Sequence, residues 1–308
     1  MPQLLQTHVI AVCDGHVLQV QEFGNPAGLP AVVVHGGPGS GSSPALRRGF
    51  DRERWRLICI DQRGCGGSTP RGAIHANTTS GLVADMQRVR RLLGIDRWLV
   101  VGGSWGAALA VAYAAQEPSA LTGLLLRSAF LARREDVDAF FGGDAALARP
   151  GAWQRLNIDM PAPLLPALAE ALQSGTLAQQ QHAASAWWAW EQALQHGAQT
   201  GPVLQGEALA RQVDRLRVQS HYLMHDCWLT QPLLLDLCAQ VPPVPTLLLH
   251  ASDDLICPVA GAVALHARLP HAVLQVLPQG GHDPTHPSMV AASTAALQGF
   301  LAHGQFAV

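Results

Sequence analysis

Trp98-Leu99-Val100-Val101-Gly102-Gly103-Ser104-Trp105-Gly106, followed by the alanine-rich stretch 107–115, decides the fold that this sequence specifies. The apolar run 98–101 is nearly continuous, as in strands that are buried on both faces of a parallel sheet. The stretch 107–115 favours a helix because alanine has the highest helix propensity. Between the two lies the pattern G-x-S-x-G of a nucleophile elbow, a tight strand-to-helix turn that needs small neighbours and exposes its serine. We therefore predict a strand, a sharp turn and a helix, with Ser104 as a nucleophile.

Further apolar runs continue this pattern along the chain. A helical spacing of apolar residues covers 80–93, and the pair Asp14-Gly15 predicts a two-residue turn that closes an N-terminal β-hairpin. Alternating strands and helices are typical of an α/β protein with a mostly parallel central sheet flanked by helices. Strands are predicted at 31–35, 56–60, 98–103, 122–128, 245–250 and 273–278.

The middle of the chain has a different residue composition and spacing. Between 131 and 240 no strand-like run occurs, and alanine, leucine, glutamine and tryptophan recur with helical spacing. We predict that 131–240 forms an inserted helical cap domain, and that 1–130 and 241–308 together form the α/β domain. The insertion places the cap across the carboxyl edge of the sheet, where open α/β sheets bind ligands.

Composition excludes several classes of function. All twenty basic residues of the 308-residue chain are arginines and the net charge is −2, which disfavours nucleic-acid binding. The absence of lysine removes Schiff-base chemistry and lysine-dependent phosphate loops. No apolar run approaches the roughly 20 residues of a membrane span, and the N-terminal sequence lacks the pattern of a signal peptide. We expect a cytoplasmic protein that does not bind membranes. No H-E-x-x-H motif or cysteine–histidine cluster predicts a metal site.

The loop His35-Gly36-Gly37-Pro38-Gly39 follows the predicted strand 31–35. In a fold with a nucleophile elbow, this loop supplies one backbone N–H of the oxyanion hole, and the residue after the nucleophile supplies the other. Pro38 has no N–H. We therefore predict Gly37 and Trp105 as the two donors.

The general base and its acidic partner are predicted from their order along the chain. The order serine, acid, histidine is the one expected for this elbow. His282 follows the last predicted strand in the glycine-rich loop 279–282, so we predict it as the base. The loop after strand 245–250 offers both Asp253 and Asp254, and composition does not decide between them.

Four motifs together resemble those of the proline iminopeptidase family of α/β-hydrolases: HGGPG at 35–39, DQRGCGGS at 61–68, NTT at 77–79 and GGSWG at 102–106. The resemblance covers nearly the whole chain. It implies the α/β-hydrolase fold, the release of an N-terminal proline from peptides without a cofactor, and recognition of the substrate's free amine by carboxylates of the cap. The segment 250–258 resembles the acid loop of the family, which implies Asp254 rather than Asp253.

The segment Trp187-Trp188-Ala189-Trp190-Glu191 resembles the amine-binding helix of that family. Helical spacing puts Trp187, Trp190 and Glu191 on one face. We expect Glu191 to bind the substrate ammonium by charge, assisted by cation–π contact with the tryptophans.

Two positions depart from the pattern of the family. Gln219 stands where the family carries a second glutamate, which implies weaker amine recognition because a charge-assisted hydrogen bond is about twice as strong as a neutral one. Leu223 replaces an aromatic residue of the proline pocket, whereas Phe140 and Cys257 match pocket positions of the family.

These observations leave three hypotheses for the function. The first is an aminopeptidase of the proline iminopeptidase type, acting on small peptides, amides or esters with a free N-terminal amine. The second keeps Ser104, Asp254 and His282 but makes the protein a carboxylesterase or amino-acid amidase, which Gln219 and Leu223 favour. The third is a ligand-binding protein that keeps the fold without turnover.

Overall fold

The chain folds around one eight-stranded sheet. A computed structural model describes residues 2–197 and 203–307. The strand order is β1-β2-β4-β3-β5-β6-β7-β8; β1 and β2 pair antiparallel with their neighbours, and the strands from β4 to β8 are parallel. The strands are β1 (Leu4–Ala11), β2 (Val17–Gly24), β3 (Leu29–Val34), β4 (Trp55–Ile60), β5 (Trp98–Gly103), β6 (Leu121–Arg127), β7 (Thr246–Ala251) and β8 (Ala272–Leu277).

Helices cover both faces and the carboxyl edge of this sheet. Short 3-10 turns at Cys13–Gly15, Pro44–Arg47, Pro118–Ala120, Asp226–Trp228 and Cys238–Gln240 complete the described elements. The α-helices are α1 (Thr79–Leu92), α2 (Trp105–Gln116), α3 (Arg134–Phe140), α4 (Gly143–Ala148), α5 (Pro150–Asp159), α6 (Leu164–Ser174), α7 (Leu177–His196), α8 (Gly206–Met224), α9 (Leu234–Leu237), α10 (Val259–Arg268) and α11 (Pro287–His303).

The sheet confirms the predicted α/β class, and the six predicted strands agree with β3 to β8 within two residues at each end. The N-terminal hairpin is also present, and Asp14 and Gly15 at its turn both have positive φ, 62° and 76°. The last strand pair is Ala11 with Val17, so residues 12–16 connect the strands and the connection is longer than the two residues predicted. Side chains on the parallel strands alternate between two hydrophobic clusters. Leu124 and Leu126 pack on the side of α2, and Leu125 packs on the side of α11.

Helices α3 to α9 lie between β6 and β7, the segment in which the sequence predicts a cap. Helices α6, α7 and α8 pack against one another, and α8 contacts the loop after β3, where its main chain approaches Gly39. The cap therefore adjoins the carboxyl edge of the sheet. Its boundaries as a separate domain, 131–240, remain a prediction. Among the residues that the structure describes, none of the helices is both long and apolar enough to span a bilayer.

Candidate active site

Ser104 lies at the sharp turn between β5 and α2. Its backbone has φ 56° and ψ −125°, a strained conformation for a residue with a side chain. The turn can form because its flanking residues are small. A Cβ on Gly102 would lie 2.2 Å from the carbonyl oxygen of Gly106, and a Cβ on Gly106 would lie 2.2 Å from that of Val34. The local geometry is that of the predicted nucleophile elbow.

His282 and Asp254 meet beside this turn. Nδ1 of His282 lies 2.8 Å from Oδ2 of Asp254, and the side chain of Asp254 is fully buried. The other oxygen, Oδ1, accepts hydrogen bonds from the backbone N–H groups of Ile256 and Cys257 at 2.9 and 2.8 Å. Asp253 is exposed, and its carboxylate instead accepts a hydrogen bond from a backbone N–H of the loop that carries His282. The contacts therefore favour Asp254 as the partner of the imidazole.

The charges of this pair shift both pKa values in the direction that suits a general base. Burial works against the charged imidazolium of His282, but the charge and hydrogen bond of Asp254 outweigh it and raise the pKa of His282 above its ordinary value. Glu191 adds to the rise and Arg215 opposes it. Burial likewise opposes ionisation of Asp254, yet the charge of His282 and the hydrogen bonds to the carboxylate lower its pKa. Asp254 therefore stays ionised across the neutral pH range.

The backbone N–H groups of Gly37 and Trp105 lie on the two segments that flank Ser104. Trp105 is the first residue of α2, where N–H groups have no acceptor within the helix. Gly37 lies on the loop after β3, and a Cβ on its neighbour Gly36 would come within 3.1 Å of Cβ of Ser104. Both segments are therefore close enough to the serine to supply the predicted oxyanion donors.

A buried hydrogen-bond network connects these two segments. Gln62 donates from its side chain to the carbonyl of His35 at 2.9 Å and from its backbone to Nε2 of His35 at 3.1 Å. The indole of Trp105 donates to Oε1 of Gln62 at 3.0 Å. Burial lowers the pKa of His35, which keeps the ring neutral and able to accept. The network links the loop that carries Gly37, through His35, to the side chain of Trp105.

A cavity of about 310 Å³ brings the predicted residues together. Ser104 and His282 line it from the sheet edge. The hydroxyl of Ser104 lies beside the thiol of Cys257, whose pKa burial raises well above its usual value. Among the described residues, the side-chain hydrogen bonds of His282 join it to Asp254 and not to Ser104; catalytic hydrogen bonds often tighten only once substrate is bound. Other predicted residues that line the cavity are Gly37, Phe140, Glu191, Gln219 and Leu223.

The tryptophans of α7 do not belong to this cavity, so the expected cation–π contact is wrong. Trp187 and Trp190 are almost completely buried. Trp187 packs on Phe140 and Phe141 with ring centroids 6.4 and 5.1 Å apart, and Trp190 donates its indole N–H to the carbonyl of Phe140. Both indoles are enclosed by cap residues, which leaves no face open to a substrate ammonium.

Glu191 faces the cavity but is already paired with Arg215, a residue that the sequence interpretation missed. Arg215 donates from Nη1 to Oε2 of Glu191 at 2.7 Å and from Nη2 to Oε1 at 2.9 Å. Nη2 also donates to Oε1 of Gln219 at 3.1 Å. The signal for the second contact was available, since residues 215 and 219 are one helical turn apart. The pairing across to α7 depends on how the two helices pack.

The mostly parallel sheet, the serine at a strained strand-to-helix turn and the histidine bonded to a buried carboxylate define a hydrolase of the α/β-hydrolase fold. The sequence profile of the α/β hydrolase fold matches residues 30–286, which is most of the chain. Within the described residues, no group of three or more histidine, cysteine or acidic side chains is arranged to hold a metal ion.

Individual relatives narrow this class. A proline iminopeptidase from Xanthomonas citri is 37% identical over 297 residues, covering 94% of this chain and 95% of the relative. A probable proline iminopeptidase from Leptolyngbya boryana is 35% identical over 308 residues, covering 96% and 94%. The crystal structure of a proline iminopeptidase from Mycobacterium smegmatis shares the fold, with a TM-score of 0.66 at 21% identity over 97% of this chain and 98% of that one. The chain belongs to the proline iminopeptidase family.

Proposed function

We propose that this chain is a serine aminopeptidase that releases an N-terminal residue, proline foremost, from small peptides, amides or esters. Ser104 is the nucleophile, His282 the general base and Asp254 the group that orients the histidine. Support comes from the full-length relatives named proline iminopeptidase and from the hydrogen-bonded pair of His282 and Asp254. The proposed reaction involves no cofactor, and we expect it to take place in the cytoplasm.

The proposed reaction has two steps. His282 takes the proton of the Ser104 hydroxyl through Nε2 while the oxygen attacks the carbonyl carbon of the N-terminal residue. The negative charge that forms on the carbonyl oxygen is stabilised by the N–H groups of Gly37 and Trp105. His282 then returns the proton to the departing amine, which leaves an acyl-enzyme on Ser104. A water molecule, deprotonated by His282, attacks the acyl group, and the serine regains its proton as the acid is released.

The substrate's acyl residue is proposed to lie between the sheet edge and the cap. Phe140, Leu223 and Cys257 supply an apolar surface suited to a pyrrolidine ring. Glu191 and Gln219 lie on the cap helices α7 and α8 and would receive the amine. A carboxylate offers about four lone-pair sites, so Glu191 retains acceptor sites beyond the two that Arg215 uses.

The observation that carries this proposal is that Ser104, His282 and Glu191 line the same cavity. The test is a panel of aminoacyl arylamides and simple aryl esters, measured on wild type and on Glu191→Gln, with Ser104→Ala as the inactive control. We expect prolyl arylamide to be the best arylamide. Glu191→Gln should raise its KM several-fold and leave the rates on simple esters much less affected.

The same panel of substrates distinguishes the proposed aminopeptidase from the alternative function. A carboxylesterase or amino-acid amidase would cleave short acyl esters rapidly and show no preference for prolyl amides. Rapid ester hydrolysis with no detectable release of proline would contradict the aminopeptidase proposal. Failure of Ser104 to react with a fluorophosphonate probe would contradict both and favour a ligand-binding role.

A further inference from the structure

Arg215 occupies the part of the cavity where the family resemblance places the substrate amine. It lies on α8, whose main chain at this residue packs directly on the loop that carries the oxyanion donor: a Cβ on Gly39 would come within 2.4 Å of the Arg215 carbonyl oxygen. Arg215 and Glu191 both line the cavity with Ser104. Arg215 is therefore held in place from both the loop and the cap.

The guanidinium uses the groups that would recognise an ammonium ion. Both carboxylate oxygens of Glu191 accept from it, at 2.7 and 2.9 Å, and the side-chain oxygen of Gln219 accepts a third hydrogen bond at 3.1 Å. The side chain of Glu191 is 10% exposed and that of Arg215 is 20% exposed, so water screens this pair only weakly. The two charges cancel. A substrate ammonium entering here meets a carboxylate whose charge the guanidinium already balances, not a free carboxylate.

The same arrangement favours a neutral group that carries a carbonyl. A guanidinium has five N–H donors, and three of them are used in the contacts with Glu191 and Gln219. The remaining N–H groups of this partly exposed guanidinium can donate to the carbonyl oxygen of an acyl group on the substrate nitrogen. An acylated nitrogen also carries no charge, so its binding does not depend on a free carboxylate.

We propose that Arg215 is a specificity-determining residue that weakens the preference for a free amine, so that this chain also hydrolyses N-acylated substrates, with an efficiency comparable to that for free-amine substrates. This inference rests on the proposed function of the same site, since it concerns the acyl residue attacked by Ser104. It adds N-acylaminoacyl amides and esters to the substrate classes of the chain.

The test compares prolyl with N-acetylprolyl arylamide on wild type, Arg215→Met and Arg211→Met. Arg211 is the matched control because it lies one turn away on α8, is 61% exposed and pairs with Glu207 at the surface. In wild type we expect the two values of kcat/KM to differ by less than about tenfold. Arg215→Met frees Glu191 to bind the ammonium, and one charge-assisted hydrogen bond is worth about 10-fold to 100-fold in binding. The preference of Arg215→Met for the free amine should therefore rise by that factor, mainly through KM.

The same pair of substrates is also measured as aryl esters. If the esters are cleaved but the prolyl amides are not, the proposed aminopeptidase function fails. The ratio of kcat/KM between the prolyl and N-acetylprolyl esters then still tests the role of Arg215. A wild-type preference for the free amine above about tenfold would overturn the inference, as would a lower preference in Arg215→Met than in wild type. Arg215→Lys keeps a positive charge beside Glu191 and should keep the wild-type ratio. If the variants do not fold, the ratio of kcat/KM between free-amine and N-acetylated substrates in wild type alone decides whether the inference holds.

Discussion

Replacing Asp254 by asparagine tests how the histidine is held ready to accept a proton. Oδ1 of Asp254 accepts from the backbone N–H groups of Ile256 and Cys257. In Asp254→Asn the new amide oxygen must take this position, because only an oxygen can accept these bonds. The amide nitrogen then faces Nδ1 of His282 and donates to it. The ring proton is thereby moved to Nε2, and the imidazole can no longer accept the proton of Ser104.

The expected loss is large because the change inverts the histidine tautomer without moving the ring. Loss of the correct tautomer in a serine–histidine–acid arrangement lowers kcat about 10⁴-fold, equivalent to about 5.4 kcal/mol of barrier at 1.36 kcal/mol per tenfold. KM should change little, since Asp254 is buried behind the histidine and outside the cavity. The fold should persist, because the two backbone hydrogen bonds are kept.

The assay is steady-state hydrolysis of prolyl arylamide or of a simple aryl ester, with thermal unfolding to check stability. Asp253→Asn is the matched control. Asp253 is exposed and its Oδ1 accepts only from the backbone N–H of Gly281, at 2.8 Å, a bond that asparagine can keep. Its kcat should stay within about tenfold of wild type, because a surface change away from the buried pair has small effects. A loss for Asp253→Asn as large as for Asp254→Asn, or a folded Asp254→Asn with kcat within tenfold of wild type, would refute the assignment.

Two further predictions concern pH and the buried network. Asp254 raises the pKa of His282 above 6.5, and a general base must be unprotonated. We therefore expect kcat/KM to fall as the pH is lowered, with a midpoint above 6.5. A midpoint below 6.5 in the pH profile would contradict the assigned pair. Gln62→Met leaves the carbonyl of His35 and the indole N–H of Trp105 without their partner, so the free energy of unfolding in urea should fall by about 1–3 kcal/mol for each buried group left unpaired, and kcat should fall with it. Unchanged stability and kcat would show that the network does not fix the oxyanion donors.

Local sequence was sufficient for the elements that carry the site. Buried parallel strands are continuous apolar runs, so the positions of β3 to β8 follow from the apolar runs of the sequence alone. The elbow is equally local, because a Cβ on Gly102 or Gly106 would lie only 2.2 Å from a backbone carbonyl oxygen, which excludes any side chain there. Chain order together with the resemblance to a known family was enough to assign Asp254 and His282.

The polar end of the cavity could not be predicted in the same way. Helical periodicity puts Trp187, Trp190 and Glu191 on neighbouring positions of one helix, but it does not say what packs against each of them. In the structure the two indoles pack within the cap, whereas the carboxylate reaches the cavity and meets Arg215. Contacts between helices depend on their packing angle and offset, and these are set by the whole cap.

The sequence by itself thus determined the sheet, the elbow and the choice of Ser104 and His282, because each depends on apolar runs, small residues and chain order; the choice of Asp254 came from the resemblance to the family. The hydrogen bond between Asp254 and His282 agrees with the choice of Asp254, but only the tertiary structure decided that Arg215 pairs with Glu191 and neutralises it. The physical reason is that an ion pair across two helices depends on distances of a few ångströms between residues 24 positions apart, and no periodicity in the chain encodes such a distance.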